Sequence, residues 1–229
     1  MPFENVKKET HIQNLRVMSI SGPVLTFIAV VAYGALHSLL ASNSVKQLFR
    51  RAFGQTSDRF YRLFFNIVGG LTFLPVLAVA ALDPVQMLYQ LSQPWVLLNS
   101  AGQVLAVIVL LLGLLQTDSL HFLGLRQFTH PGSSEPSKLV INGLYCHVRH
   151  PLYTAGLLFI WLTPVMTTSV LALNLGLTLY IIVGSIFEER RLAGDFGQAY
   201  IDYQSRVPRL IPVPGRCYPP DQVISKARP

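Results

Sequence analysis

The sequence predicts an all-α, polytopic membrane protein, and three observations support that prediction. Only 13% of the 229 residues are charged, while 51% are hydrophobic; an average soluble domain carries about 25% charged residues. Long uncharged runs have the length of membrane-spanning helices. Most basic residues stand at the borders of these runs, which is typical of membrane proteins. That placement also accounts for the net charge of +7, so we expect no nucleic-acid partner.

Three apolar runs occupy the first half of the chain. Each has roughly the 20 residues that a helix needs to cross a bilayer. They cover residues 19–41, 61–82 and 95–116. These runs predict a three-span membrane region over residues 1–116, followed by a second region over 117–229.

The region 152–187 is apolar, but it is too long for one ordinary span and barely long enough for two. Pro164 and the segment 167–169, Thr-Thr-Ser, fall near its middle, where a tight turn is expected. We therefore predict a helical hairpin of two short spans, 152–166 and 169–187. Its turn should lie at an interface, because unpaired backbone groups cannot face lipid. A single kinked helix is the alternative.

The basic residues give the orientation of the chain. With about five spans, the N-terminus, the loop 83–94 and the hairpin turn share one side of the membrane. That side holds three Lys and Arg residues, and the other side holds fifteen. The positive-inside rule then places the C-terminus in the cytoplasm. Both ends of the hairpin lie on this cytoplasmic side, so a polar pocket is predicted at its mouth.

Ionisable side chains stand at both ends of the hairpin. Arg149, His150 and Tyr153 border its start. The guanidinium of Arg149 has the two-pronged donor geometry that clamps a carboxylate. Glu188 and Glu189 border the other end. Either group could instead anchor the hairpin at the membrane interface, where Arg, His and Tyr are common.

The segment that follows Glu189 shows the periodicity of an amphipathic helix. An apolar and aromatic face recurs at spacings of three and four residues and consists of Leu192, Phe196, Tyr200 and Tyr203. The last span either continues through this segment or is followed by a helix that lies on the bilayer.

Polar side chains inside the predicted spans usually face the protein interior, where they bond helix to helix. This role is expected for Asn66 and Gln103. For His37 and His121 the choice between packing and catalysis stays open.

Neither a metal centre nor a disulfide framework is predicted. His147 and His150 straddle a loop–helix boundary and lack a third ligand at suitable spacing. Cys146 and Cys217 are the only two cysteines, and they have no metal-ligand spacing.

The motifs on either side of the hairpin resemble those of a known enzyme superfamily. "GLYCHVRHPLYTAG" precedes the hairpin, and "EERRLAGDFGQAYIDYQSRVPRLIP" follows it. In this order they resemble the isoprenylcysteine carboxyl methyltransferase and phospholipid methyltransferase superfamily, over roughly residues 142–212. The segments "ALHSLLASNSVKQLF", "RFYRLFFN" and "HFLGLRQF" are similar to a bacterial branch that holds NnrU-like proteins and methanethiol S-methyltransferases.

This resemblance implies a membrane enzyme of the bacterial inner membrane, with 117–229 as its catalytic region and S-adenosylmethionine as its cofactor. The favoured acceptor is a small thiol, or another lipophilic molecule that enters from the membrane lipid. Nothing in the resemblance fixes the oligomeric state. The implied cofactor-binding residues are Tyr145, His147, Arg149, His150, Tyr153, Glu188, Glu189, Leu192 and Tyr200.

The same resemblance implies catalytic roles for three residues of this set and for Arg209. A thiol acceptor must lose its proton, because the thiolate is the nucleophile; His147, His150 or a glutamate would take that proton. Arg149 or Arg209 would hold a carboxylate acceptor. The implied catalytic residues are thus Arg149, His150, Glu189 and Arg209.

Three alternatives stay open at this stage. The acceptor could be an isoprenylcysteine carboxylate or a phospholipid. A sterol-reductase-like enzyme would use NADPH in place of S-adenosylmethionine. A non-catalytic membrane scaffold would keep the fold without any activity.

Overall fold

A computed structural model describes residues 22–54, 57–82, 86–117, 138–213, 215, 217–218 and 224–225. His121 and the first residues of the predicted span 19–41 lie outside this part of the chain. The helices in this part of the chain are α1 Gly22–Ala41, α2 Asn43–Phe53, α3 Ser57–Leu82, α4 Trp95–Gln116, α5 Pro151–Trp161, α6 Thr168–Phe196 and α7 Gln198–Arg206, and a 3₁₀ turn covers Gly143–Cys146.

Within the described residues, four helices are long and apolar enough to cross a membrane: α1, α3, α4 and α6. α4 begins and ends at the predicted residues, and α3 starts a turn earlier than predicted. The shorter α5 is also apolar. The prediction of an all-α polytopic membrane protein is confirmed, with short strands added at the ends of the helices.

The predicted hairpin is present as two helices, α5 and α6, so the alternative of one kinked helix is wrong. The prediction of two short spans is not confirmed, because α5 has only 11 residues and is shorter than a membrane-spanning helix. α5 ends at Trp161 and not at 166, because Pro164 has no N–H for a helical hydrogen bond and restricts the residue before it. The strand β3, Val165–Thr167, follows instead. Thr167 caps α6, and its side chain accepts a hydrogen bond from the Val170 amide at 3.1 Å.

The hairpin turn pairs with the loop that joins α3 to α4. Strand β1, Met87–Gln90, is antiparallel to β3. The Leu91 amide donates to the Pro164 carbonyl at 2.9 Å, next to the ladder. These hydrogen bonds satisfy backbone groups that could not face lipid unpaired. The loop and the turn therefore lie at the same end of the helices, as the sequence predicts.

The last long helix continues past the glutamates as one unbroken element. α6 ends at Phe196 and not at the predicted 187. Gly197, with a φ of 61°, separates it from α7. Small residues bring α6 close to α1, since a Cβ at Gly176 would lie 2.8 Å from the Val30 side chain.

Two segments that are far apart in sequence meet near the C-terminal end of α6. Cys146 of the 3₁₀ turn forms a disulfide with Cys217, and their Cα atoms are 4.6 Å apart. The expectation that the two cysteines form no disulfide is therefore wrong. Tyr218 is buried beside them, and its amide donates to the Cys146 carbonyl at 3.1 Å. A second short pairing joins β2, Lys138–Leu139, to β4, Ile224–Ser225.

Replacing Gly143 with alanine is expected to destabilise the protein by about 1–3 kcal/mol. Gly143 has a φ of 59°, and a Cβ there would lie 2.6 Å from the side-chain amide of Gln116. That amide accepts a hydrogen bond from Leu144 N at 2.9 Å and ties α4 to the 3₁₀ turn. Thermal unfolding in detergent measures the effect.

Gly156→Ala is the matched control for this substitution. Gly156 lies inside α5, and a Cβ there would meet nothing within 4 Å. Alanine in a helix interior is favoured over glycine by about 0.5–1 kcal/mol. The control should therefore unfold at the wild-type temperature or above it. Equal stability of the Gly143→Ala variant and the wild type would contradict the close contact with Gln116.

Candidate functional site

The centre of the site is the buried carboxylate of Glu189, which is 2% exposed. Its Oε1 accepts a hydrogen bond from Arg149 Nε at 2.7 Å and lies 3.2 Å from His150 Nε2. Its Oε2 accepts from Gln204 Nε2 at 2.9 Å and from Arg209 Nε and Nη2 at 3.0 and 2.8 Å. Two guanidinium groups and these donors favour the ionised carboxylate. Glu189 thus holds four side chains in place.

A strap formed by residues 204–210 crosses the start of α5. The amides of Arg149 and His150 donate to the carbonyls of Pro208 and Arg209 at 2.9 and 3.2 Å. The Arg149 guanidinium also donates through Nη1 to two further strap carbonyls. Arg149 therefore joins α6, the strap and the entry to α5, and much of its donor capacity is used within the chain.

Glu188 is the second carboxylate of the site, and it is more open than its neighbour. Its side chain is 33% exposed, against 2% for Glu189. Tyr153 donates its hydroxyl to Glu188 Oε2 at 2.9 Å, and His150 Nδ1 lies 3.6 Å from the same oxygen. The rings of His150 and Tyr153 stack at 5.2 Å. Both contacts use Oε2, and among the described residues none forms a hydrogen bond with Oε1.

Three tyrosines, Tyr145, Tyr200 and Tyr203, border the site next to the disulfide. Tyr203 donates its hydroxyl to the Tyr145 carbonyl at 2.5 Å. Burial, together with the nearby Glu188 carboxylate, raises the pKa of the Tyr145 hydroxyl to about 12. The pKa of the Tyr200 hydroxyl is also raised, first by burial and then by the Glu189 carboxylate. These phenols therefore stay neutral and can donate hydrogen bonds at physiological pH.

The Tyr200 hydroxyl is a candidate contact for a ligand. Tyr200 is 1% exposed, and its hydroxyl has no hydrogen-bond partner among the described residues. A buried polar group left without a partner costs free energy, so such groups are nearly always bonded to protein, water or ligand. Leu192 packs against the same core.

The structure brings most of the predicted site residues together. One connected cluster contains Arg149, His150, Tyr153, Glu188, Glu189 and Arg209. The core next to it contains the backbone of Tyr145 and the side chains of Leu192 and Tyr200. His147 is exposed, and a ring nitrogen lies within 4.8 Å of the sulfurs of Cys146 and Cys217. It therefore borders the disulfide.

Sequence reasoning missed Gln204 and the backbone of the strap. Gln204 lies on α7 four residues after Tyr200, on the face already recognised from its aromatic residues. Its position on that face could have identified it. The strap carbonyls left no signal in the sequence, because any residue type can supply a carbonyl.

The fold and the site together define an integral membrane protein with a buried ionic cluster at one end of its helices. No family model and no solved structure matches the chain. Methanethiol S-methyltransferase 2 of Bradyrhizobium diazoefficiens is 51% identical over 69 residues, which is 30% of this chain and 27% of that protein. Methanethiol S-methyltransferase of Crocosphaera subtropica is 32% identical over 132 residues, 53% of this chain and 52% of that protein.

A third relative aligns over most of the chain. Methanethiol S-methyltransferase of a Pseudomonas species is 29% identical over 209 residues, covering 84% of this chain and 77% of that protein. The alignments with the first two relatives span about a quarter and about half of their lengths. The chain is thus similar to proteins named methanethiol S-methyltransferase, and the predicted resemblance to that branch is confirmed.

Proposed function

We propose that the chain is an integral membrane methyltransferase that uses S-adenosylmethionine to methylate a small thiol, with methanethiol as the favoured acceptor. The observation that carries the proposal is the alignment with relatives of that name, one of which covers 84% of this chain. The site lies on the cytoplasmic side of a bacterial inner membrane in this proposal, since fifteen of the eighteen Lys and Arg residues belong to that side.

The donor set of the site fits this cofactor. Its ammonium and ribose hydroxyls suit the Oε1 atom of Glu188, which the described contacts leave available. Its adenosine offers polar atoms to the buried Tyr200 hydroxyl, which has no partner among the described residues. Tyr145 and Leu192 would complete the walls of the adenosine site. Glu189 already has four side-chain partners, so we propose that it positions the other groups.

When bound, S-adenosylmethionine would supply an electrophilic methyl group on its sulfonium sulfur, and the neutral thioether S-adenosylhomocysteine would be a good leaving group. The residues of this chain then have to align the acceptor and exclude water. Glu189 fixes Arg149 and His150, and these fix the strap at the entry to α5. A thiol acceptor must also lose its proton to become the nucleophile.

S-adenosylhomocysteine is expected to raise the unfolding temperature of the detergent-purified protein. A ligand that binds only the native state adds about 2.7 kcal/mol at 100 times its dissociation constant. NADPH is tested beside it, as the ligand of a sterol-reductase-like enzyme. Stabilisation by NADPH alone, or by neither compound, would overturn the proposal.

The acceptor is tested separately once the cofactor has bound. Methanethiol, a prenylated cysteine analogue and phosphatidylethanolamine are supplied in turn with labelled S-adenosylmethionine. We expect labelled dimethyl sulfide from methanethiol. Label that enters only the carboxylate or the phospholipid would replace the thiol with that acceptor.

A further inference from the structure

A histidine lies among aromatic rings inside the membrane-spanning part of the molecule. The ring of His37, on α1, is 4.4 Å from that of Phe65, 5.5 Å from that of Tyr33 and 6.3 Å from that of Tyr180. Phe73 lies 5.0 Å from Tyr33. These five residues, from α1, α3 and α6, are called the aromatic cage below.

The imidazole of His37 carries a buried nitrogen that bonds to none of the described residues. Nδ1 is buried and makes no hydrogen bond to any described residue. Gly69 allows the ring of His37 to lie close to the backbone of α3, because a Cβ at residue 69 would be 3.0 Å from Cε1 and 3.1 Å from Nδ1 of the imidazole. The contact between α1 and α3 is thus shaped around the imidazole.

Helix packing alone does not account for this arrangement. Polar side chains that hold membrane helices together are bonded to the neighbouring helix. Gln103 of α4 does so, because its Nε2 donates to the Phe159 carbonyl at 3.0 Å. Asn174 of α6 does the same toward the Ile160 carbonyl at 2.8 Å. Nδ1 of His37 makes no such bond within the described part of the chain, and an ionisable group at membrane depth indicates a functional site.

The cage lies on the membrane side of the ionic cluster. α1 and α6 run side by side in the same direction, since Gly176 contacts Val30 and Gly34 contacts Tyr180. Glu188 follows Tyr180 on α6 by eight residues, which is about 12 Å along a helix. On the same register His37 is level with residue 183 of α6, five residues before Glu188, so the imidazole is about 7.5 Å deeper in the membrane than the proposed cofactor site.

We propose that the aromatic cage is the binding site of the acceptor thiol and that His37 removes its proton. This inference rests on the proposed function. The S–H bond breaks, an N–H bond forms at Nδ1, and the electron pair stays on sulfur to give the thiolate nucleophile. The aromatic walls suit the divalent sulfur of a small alkyl thiol, which can reach the cage through the bilayer.

Binding of ethanethiol to the purified protein without cofactor provides a direct test. The wild type should show the ultraviolet difference absorbance of a bound thiolate. His37→Gln should lose that signal and still be stabilised by S-adenosylhomocysteine. Gln103→Leu, which changes a polar group of another span, should keep both the thiolate signal and the stabilisation by S-adenosylhomocysteine. A thiolate signal of wild-type size in His37→Gln would overturn the inference.

Turnover distinguishes a base from a packing residue. General base catalysis contributes about 10²–10⁴-fold to rate, so His37→Gln should lose at least about 100-fold with methanethiol. Methaneselenol is already a selenolate at neutral pH and needs no base, so the variant should keep most of its rate with this acceptor. Equal losses with both acceptors would overturn the role of His37 as a base.

A second variant decides the matter if His37→Gln does not fold. Gly69→Val adds two methyl groups to a Cβ that would already lie 3.0 Å from the ring of His37, so it should displace the imidazole, lose the thiolate signal and keep the response to S-adenosylhomocysteine. Retention of the signal would overturn the inference. The thiolate signal is measured without cofactor, whereas the proposed function is tested by the binding of S-adenosylhomocysteine to the wild type and by the acceptor assay, so failure of the inference and failure of the proposed function can be told apart.

Discussion

Replacing Glu189 with glutamine is expected to destabilise the protein by about 3–5 kcal/mol, the usual cost of removing one partner from a buried ion pair. Arg149 accounts for most of this loss of stability, because its side chain is only 8% exposed and would be left with an uncompensated charge. Arg209 contributes less, since its side chain is 35% exposed and water can solvate it. The unfolding temperature in detergent measures the loss.

The Glu189→Gln substitution should also loosen the strap. Glu189 holds Gln204 and Arg209 at the two ends of the strap, so the strap should leave the start of α5. Limited proteolysis within 204–210 should then become faster than in the wild type. Unchanged stability together with a protected strap would show that Glu189 does not hold the cluster together.

The second large effect is expected for Glu188→Gln, and it concerns binding. A hydrogen bond to a charged group is worth about 1.5–3 kcal/mol, so the variant should bind S-adenosylhomocysteine about 10- to 100-fold more weakly. Its fold should persist, because the Glu188 side chain is 33% exposed. Isothermal titration in detergent gives the dissociation constant.

The two glutamates act as controls for each other. They are adjacent and carry the same charge, so a general electrostatic effect would change both variants in the same way. We expect the stability loss in the Glu189 variant and the affinity loss in the Glu188 variant. Tyr153→Phe removes only the donor to Glu188 Oε2, so its effect on affinity should be smaller. Wild-type affinity in Glu188→Gln would exclude this carboxylate from the cofactor site.

The fold could be predicted from the sequence wherever the length and hydropathy of a segment determine its structure. Residues 95–116 were predicted as a span, and α4 has these bounds, since an apolar helix of this length pairs all its inner backbone groups by itself. The hairpin was harder to predict. β3 depends on pairing with β1, and a partner more than 70 residues away leaves no local signal in either segment.

The residues of the site could be predicted, but their separate contacts could not. Glu188 and Glu189 are neighbours that differ by about 100° in direction around the helix. Which of them meets Arg149 depends on the rotation of α6 against the strap, a tertiary property that no local pattern contains. The contacts of the Arg149 guanidinium with Glu189 and the strap carbonyls depend on the same packing, and its role toward a ligand carboxylate stays a prediction.

The pairing of Cys146 with Cys217 also gives a way to find which compartment the site faces. The fold places the two sulfurs in bonding position, so the redox state of the surroundings decides whether the bond persists. The cytoplasm keeps thiols reduced, whereas the periplasm favours disulfides. A chain purified under acid quench should therefore take up two alkylating groups if the site faces the cytoplasm, and none if it faces the periplasm.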